Sequence, residues 1–464
     1  LKKLFLNTNE LDLRATLKFG LESEILMENA ALSIANHIRK KIKKGSKILG
    51  ICGGGNNAAD VFAALRMLQG DYKTKIILAS VSLKPLAKKQ LEIAKKAGAK
   101  LTTKIKKSKC IVDGLFGSGL NRELSKEHKK LLKKINKIKA YKVACDVPSG
   151  LNENGNILGE CFKADTTICM GALKLGCFLD DAKDYVGRVK VANLGICKDK
   201  FQTKTDTFLL QKRDLELPFR KKLCVNKGDF GHAFVVCGKL SGASEICAKA
   251  AFSIGAGLVS VIGRNKVIKN YLMQTDKISQ KMNAGAIGMG LSIEDVSSLN
   301  LNTLMDKSLV LDAMMCYCKA TFDILKQNKK VVLTPHPKEF CSLLKLGGLA
   351  DISVGELQKN RFEYAKKFSL KFKCVLVLKG ANTIIAKNGK LFIMPFGSSS
   401  LAKGGSGDVL SGIILGLLAQ GYSPLKAAIN STLAHALSAK KQKINNYALN
   451  PNNIIKGIKC LQKK

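Results

Sequence analysis

Lys47-Ile48-Leu49-Gly50-Ile51-Cys52-Gly53-Gly54-Gly55 is an apolar run that halts on three glycines. Such a run, closed by residues that break regular structure, reads as a short buried strand. Helical spacing resumes over residues 60–69, and a further apolar run follows at 75–80. Working outward, residues 21–40 read as a helix, and residues 110–115, 142–147 and 166–170 read as strands. Two of these runs stop at Gly117-Ser118-Gly119 and at Pro148-Ser149-Gly150. Strands alternating with helices predict an α/β fold with a parallel sheet covered on both faces. Ligands of such sheets bind beyond the carboxyl ends of strands, and the glycine-rich stops fall there.

The second half repeats the rhythm. Strands are expected at 231–238, 258–262, 286–290, 308–312, 331–333 and 375–378, with helices at 244–254, 409–420 and 425–442. The helix at 409–420 is apolar nearly all round and is therefore predicted to be buried. A mixed, charged stretch at 198–227 looks like a connection. The chain length of 464 residues favours more than one core. Two domains are expected, 1–212 and 213–464, each a three-layer αβα unit.

Composition narrows the function. Charged residues make up 24% and hydrophobic residues 46% of the chain, ordinary values for a folded protein. No apolar run of about 18 residues predicts a membrane span, and the apolar stretch at residues 4–6 is too short for a signal peptide. Fifteen cysteines without a Cys-x-x-Cys pair predict reduced thiols and a cytoplasmic setting. The net charge of +43 invites a nucleic-acid reading. Only nine of the 78 basic residues are Arg, aromatics are 6%, and Trp is absent, so Arg forks and stacking platforms are scarce. No nucleic-acid partner is expected.

Two constellations carry chemistry. Gly404-Gly405-Ser406-Gly407-Asp408 runs straight into the apolar helix. Glycines let successive N–H groups point at one spot, and a helix N-terminus adds positive potential there, so the turn suits a phosphate. A carboxylate beside a phosphate is costly without a task, and Asp408 is suited to take a proton from a hydroxyl next to the phosphoryl group. On these five residues alone, a glycine-rich turn with an acidic first helical turn is an equal reading. In the first half, Asn57, Asp113 and Ser149 offer oxygen ligands to a hard cation. Residues 117–123 form a candidate phosphate turn, and Asp146 a candidate general acid/base. Each loop taken singly also reads as a plain strand-to-helix turn.

The residues Leu26-Met27-Glu28-Asn29-Ala30-Ala31, the loop Asn56-Asn57-Ala58-Ala59-Asp60, Val112-Asp113-Gly114-Leu115-Phe116-Gly117-Ser118-Gly119-Leu120 and Asp146-Val147-Pro148-Ser149-Gly150 together resemble the YjeF N-terminal domain, the NAD(P)HX epimerase. The resemblance covers about residues 1–210 and implies a Rossmann-like fold. It implies that Asn56, Asn57, Ala58, Ala59 and Asp60, with Gly117, Ser118, Gly119, Leu120, Asn121, Arg122 and Glu123, bind the hydrated dinucleotide. It further implies that Asn57, Asp113 and Ser149 hold K+ and that Asp146 contacts substrate and is catalytic. The family has Gly-Gly where this chain has Ala58-Ala59, and the two added methyls are expected to crowd the loop's approach to ligand.

In the second half Lys379-Gly380-Ala381-Asn382-Thr383 resembles the nucleotide turn of ribokinase-like enzymes. Thr334-Pro335-His336-Pro337-Lys338-Glu339-Phe340, Asn226-Lys227-Gly228-Asp229-Phe230-Gly231-His232 and Gly255-Ala256-Gly257-Leu258-Val259 resemble the ADP-dependent NAD(P)HX dehydratases. This resemblance covers about residues 220–445 and implies a ribokinase-like fold. It implies that Lys379, Gly380, Ala381, Asn382 and Thr383 cradle ADP. Ser398, Ser399, Ser400, Leu401, Ala402, Lys403, Gly404, Gly405, Ser406 and Gly407 would complete that cradle. Gly290, His336, Pro337, Lys338, Glu339, Phe340, Cys341, Ser342 and Asp408 would contact the hydrated dinucleotide. Lys403, where the family has Thr, would add positive charge near a phosphate. His336 between prolines also suits a turn cap, and His435 in an apolar helix a core position.

The expectation is a bifunctional, homo-oligomeric repair enzyme for hydrated nicotinamide cofactors. It would epimerise R- and S-NAD(P)HX and dehydrate the S form with ADP, using K+ and Mg2+. A small-alcohol kinase of the ribokinase type and a non-catalytic RNA or protein scaffold stay open at this point.

Overall fold

A computed structural model describes residues 1–105, 107–263 and 271–462. The chain divides into two compact units, Lys2–Thr205 and Asp206–Lys464, the latter joined by Leu1. The division falls before residue 212 because Thr207–Leu209 pairs in parallel with Lys390–Met394, placing Thr207 opposite Leu391.

The first unit is built on a sheet in the order Lys100–Leu101, Lys73–Leu78, Lys47–Cys52, Cys110–Gly114, Tyr141–Cys145, Thr166–Met170, Arg188–Ala192. Every pairing is parallel. Helices Ser23–Lys41, Asn56–Met67 and Pro85–Lys96 bury their apolar residues in one core, and Lys126–Asn136 contributes Leu132 and Ile135 to another. The first strand in sequence of this sheet, Lys47–Cys52, lies between Lys73–Leu78 and Cys110–Gly114, with Cys52 opposite both Leu78 and Gly114. The strand order reverses there. Loops leaving Cys52 and Gly114 therefore diverge and open a crevice at the carboxyl edge. A Cβ at Gly114 would come within 2.6 Å of Val61 Cγ2 and 2.9 Å of the Asn57 carbonyl, so glycine lets helix Asn56–Met67 sit directly on the sheet.

The second unit carries the order Met273–Thr275, Leu258–Ile262, His232–Val236, Ala284–Ile287, Ser308–Leu311, Val331–Leu333, Val375–Leu378, Thr383–Lys387, Lys390–Met394, Thr207–Leu209. Pairing is parallel except on both sides of Thr383–Lys387. Helix Ser406–Ala419 is buried along almost its whole length, as its uniform apolarity predicts. Gly412 and Gly416 bring it against helix Ser241–Ser253, where added Cβ atoms would meet the Cys247 and Ala251 carbonyls at 2.2 and 2.6 Å. This helix starts three residues before the expected 409, so Ser406, Gly407 and Asp408 form its first turn. All fifteen cysteines are unpaired, and no helix among the described residues is long and apolar enough to cross a membrane.

Candidate active sites

In the first unit a cleft of about 640 Å³ opens at the strand-order reversal. Its wall includes Gly54, Gly55, Asn56, Asn57 and Asp60 from the first loop and helix start, residues 115–122 from the second, and Asp146 from the third. Three loops separated in sequence thus meet as expected from their strand ends. Ala58 and Ala59 do not join the wall. Both methyls are wholly buried in the core behind it, so they do not crowd the cleft. Glu123 also lies outside it, its carboxylate exposed and paired with Lys129.

Asp146 follows strand Tyr141–Cys145 and adopts φ 67°, a left-handed conformation that a residue with a Cβ rarely takes. That turn aims its carboxylate at Lys174, whose ammonium lies 2.5 Å from Oδ2. Both side chains are almost wholly buried. Amides of Ser118 and Met170 donate to the two carboxylate oxygens at 3.4 and 3.3 Å. Lys174 also donates to the Ser118 hydroxyl at 3.0 Å. Burial alone would lower the Lys174 ammonium, but Asp146 outweighs it and holds the ammonium above the ordinary lysine range. The sequence reading missed Lys174. Its signal was a single charge inside the run Leu173-Lys174-Leu175-Gly176-Cys177-Phe178.

Asp113 is fully buried. Its Oδ1 accepts the Ser149 hydroxyl at 2.6 Å and its Oδ2 the Ser149 amide at 2.8 Å. Asn57 Nδ2 donates to the Phe116 carbonyl at 3.0 Å, and that carbonyl also receives the Ser149 hydroxyl at 3.1 Å. Asn57, Asp113 and Ser149 are therefore joined around one carbonyl in an oxygen-rich pocket. Burial pushes the Asp113 carboxyl up to about 6 against the hydrogen bonds from Ser149 and Leu115.

In the second unit Lys379 directly follows strand Val375–Leu378 and lies 2.9 Å from Asp312 Oδ1 and 3.7 Å from Glu339. Asp312 Oδ2 accepts from the Ser411 hydroxyl at 2.7 Å, and Ser411 meets Thr334 at 3.2 Å. The Cys316 sulfur lies within 4.8 Å of ligand atoms from Asp312 and Glu339. Burial would lower the Lys379 ammonium, but the two carboxylates overcome it and raise it. Gly405 takes φ 81° at the N-cap of the buried helix. A Cβ on Gly407 would find Lys379 Nζ 3.5 Å away as its nearest neighbour, and one on Gly404 would meet nothing within 4 Å. The turn thus faces open space beside an ammonium, and the early amides of a helix lack intrahelical partners. Burial and the charge of Asp312 push Asp408 up to about 6, against the pull of Lys379.

The neighbouring loops converge on this turn unevenly. A Cβ on Gly397 would strike the Ala381 carbonyl at 2.4 Å, so the turn at 379–383 packs directly against the stretch leading to Ser398. Lys403 points elsewhere, donating to the Tyr447 carbonyl at 3.0 Å, contrary to the expected phosphate contact. Ser406 hydrogen-bonds His435 at 3.2 Å, and burial lowers that histidine to about 4. His435 is thus a neutral core residue that buttresses the turn. His336 is a cap: its Nδ1 accepts the Glu339 amide at 3.3 Å, and Glu339 Oε2 receives the His336 amide at 2.6 Å. Phe340 is wholly buried and packs its ring 5.4 Å from Phe368, facing core and not ligand. Gly290 takes φ 70° against the Leu240 carbonyl. Asp312 went unnoticed in the sequence, where it merely ends an apolar strand.

Residues 233–459 match the NAD(P)H-hydrate dehydratase family, and residues 23–176 match the YjeF-related protein N-terminus. A bifunctional NAD(P)H-hydrate repair enzyme of Helicobacter pylori is 42% identical over 98% of both chains. The chain belongs to the bifunctional NAD(P)H-hydrate repair enzyme family. A relative of the same description from Dictyoglomus turgidum is 32% identical, covering 92% of this chain and 91% of its own. A Bacillus subtilis structure described as an ADP/ATP-dependent NAD(P)H-hydrate dehydratase shares 27% identity with a TM-score of 0.46, covering 53% of this chain and 93% of its own. Membership makes the chain an enzyme with an epimerase unit and a dehydratase unit, which decides against the kinase and scaffold readings.

Proposed function

We propose that the cleft holding Asp146 interconverts the epimers of hydrated NADH and NADPH, and that the turn at 404–408 serves the dehydration of the S epimer with ADP. The observation that carries the reading is the shared environment of Asp408 and Lys379: a proton acceptor and an ammonium border one open, amide-lined turn. The substrate is a hemiaminal, with a hydroxyl at C6 next to the ring nitrogen. Hydroxide leaves poorly from such a carbon. When bound, ADP supplies a phosphoryl group that turns the hydroxyl into a good leaving group. Asp408 takes the hydroxyl proton. Amides of residues 404–407 and the Lys379 ammonium balance the negative charge that gathers during transfer. The ring nitrogen then expels phosphate, and loss of a proton from C5 restores the reduced ring.

The anionic nucleotide fits a glycine-rich helix start beside a cation. Mg2+ would enter with the nucleotide's phosphates, since Lys379 already engages Asp312 and Glu339. The oxygen-rich surroundings of Asp113 fit K+, held by Asn57, Asp113 and Ser149, where its charge would offset the buried carboxylate. Fifteen unpaired cysteines support work in a reducing cytoplasm.

The test is incubation of mixed NADHX epimers with ADP, Mg2+ and K+, following the near-ultraviolet absorbance of the reduced ring. Complete conversion with release of phosphate is expected. A stable phosphoester with no recovered reduced ring would refute the dehydratase chemistry, and a stall near half conversion would refute the epimerase assignment.

A further inference from the structure

Three carboxyl groups and one ammonium meet in the cleft of the first unit. Asp146 engages Lys174 directly at 2.5 Å. Asp60 is held in the wall, its Oδ2 accepting from the Cys145 thiol at 3.6 Å. Asp12, on helix Asn9–Phe19, lines the same cleft, and its Oδ1 is buried with no hydrogen-bond partner among the described residues. Lys84 and Arg122 border the cleft as well. One directly bound ammonium does not compensate three clustered anions, so protons stay on the carboxyls that lack the ion pair. Burial, then the Asp146 charge, keep Asp60 well above the carboxylate range. Burial pushes Asp12 up to about 6, with Lys174 opposing and Asp146 adding. Asp146 thus holds the ion pair, Asp60 sits almost wholly buried in the wall against Cys145, and Asp12 borders the cleft with its carboxyl pushed up to about 6.

We propose that Asp12 is a second proton-transfer residue of the epimerisation, working with Asp146. This rests on reading the cleft as the epimerase site. Asp12 lies before the residues 23–176 that match the family. In the chemistry this assigns, the Asp12 carboxyl gives its proton to the C6 hydroxyl as the C6–O bond breaks. The ring nitrogen lone pair forms a C6=N1 double bond, and water departs. A water then adds to the other face of C6, the double-bond electrons return to nitrogen, and the surplus proton passes to the Asp146 carboxylate. The opposite epimerisation runs the same transfers backward, and proton exchange with solvent resets the pair.

The experiment follows purified R-NADHX approaching its epimer equilibrium without ADP, so that dehydration is silent. Asp12→Asn should lower kcat about 100-fold, the low end for general acid–base catalysis, with KM changed less than about 3-fold. The wild-type rate should fall as pH rises above about 6, and that limb should vanish in Asp12→Asn and return in Asp12→Glu. A wild-type rate and pH profile in Asp12→Asn would overturn the proposal. If Asp12→Asn melts early, Asp12→Glu decides: a pH limb that fails to move with the new carboxyl overturns it equally. Full activity in Asp146→Ala would instead sink the underlying assignment of the cleft.

Discussion

Two of the three carboxylates proposed to move protons, Asp146 and Asp408, are stationed by opposite devices. In the unit Lys2–Thr205, Asp146 sits on a left-handed residue and touches a buried ammonium at 2.5 Å. In the unit Asp206–Lys464, Asp408 rides the first turn of a buried helix, while Lys379 is drawn mainly to Asp312 and Glu339. A direct ion pair ties Asp146 to one ammonium, and a partner carboxyl completes the proton relay. Burial without such a pair leaves Asp408 titrating near 6, ionised at neutral pH yet basic enough to take a hydroxyl proton. The contrast is between these two residues: an ion pair holds one and burial tunes the other.

Breaking that contrast should hurt most at Asp408. Asp408→Asn is expected to slow dehydration of S-NADHX about 10⁴-fold, the upper range for a lost general base, while nucleotide affinity by calorimetry stays within a few-fold. Asp146→Ala is expected to cut epimerisation about 10³-fold and leave S-NADHX dehydration untouched in the same preparation. Lys174→Met strands a buried anion, and the unit Lys2–Thr205 should lose about 3 kcal/mol in urea unfolding. Exchange of K+ for a larger organic cation should lower the epimerase rate alone, restored by adding KCl. The gentlest test is pH: the dehydration rate should climb as pH rises through about 6 and then level, because Asp408 must shed its proton to act. A flat profile over that window would erase the distinction drawn between the two carboxylates.

Much of the architecture was legible because each buried strand is a short apolar run with a glycine-rich stop. Lys47–Cys52, Leu258–Ile262 and Val375–Leu378 coincide with the expected spans. Helical periodicity did not reveal that helix Ser406–Ala419 begins at Ser406, because its first turn is small and polar. The hairpin of Thr383–Lys387 and Lys390–Met394 was overlooked, although Asn388-Gly389 at φ 49° and 76° is a strong turn signal. Loop residues bearing glycines were found. Lys174 and Asp12 were not, because an isolated charge acquires meaning only from a partner far along the chain. Lys174 meets Asp146 28 residues away, and Lys379 meets Asp312 67 residues away.

The left-handed backbone of Asp146 sets folding and chemistry at odds. Glycine would rest there more comfortably than any residue with a side chain. A drift to glycine would relax the turn but remove the carboxylate that pairs with Lys174, leaving a buried ammonium beside the Ser118 hydroxyl. Relief of backbone strain there comes with an unpaired buried charge, so even a population that no longer needs epimerase turnover gains little by the change.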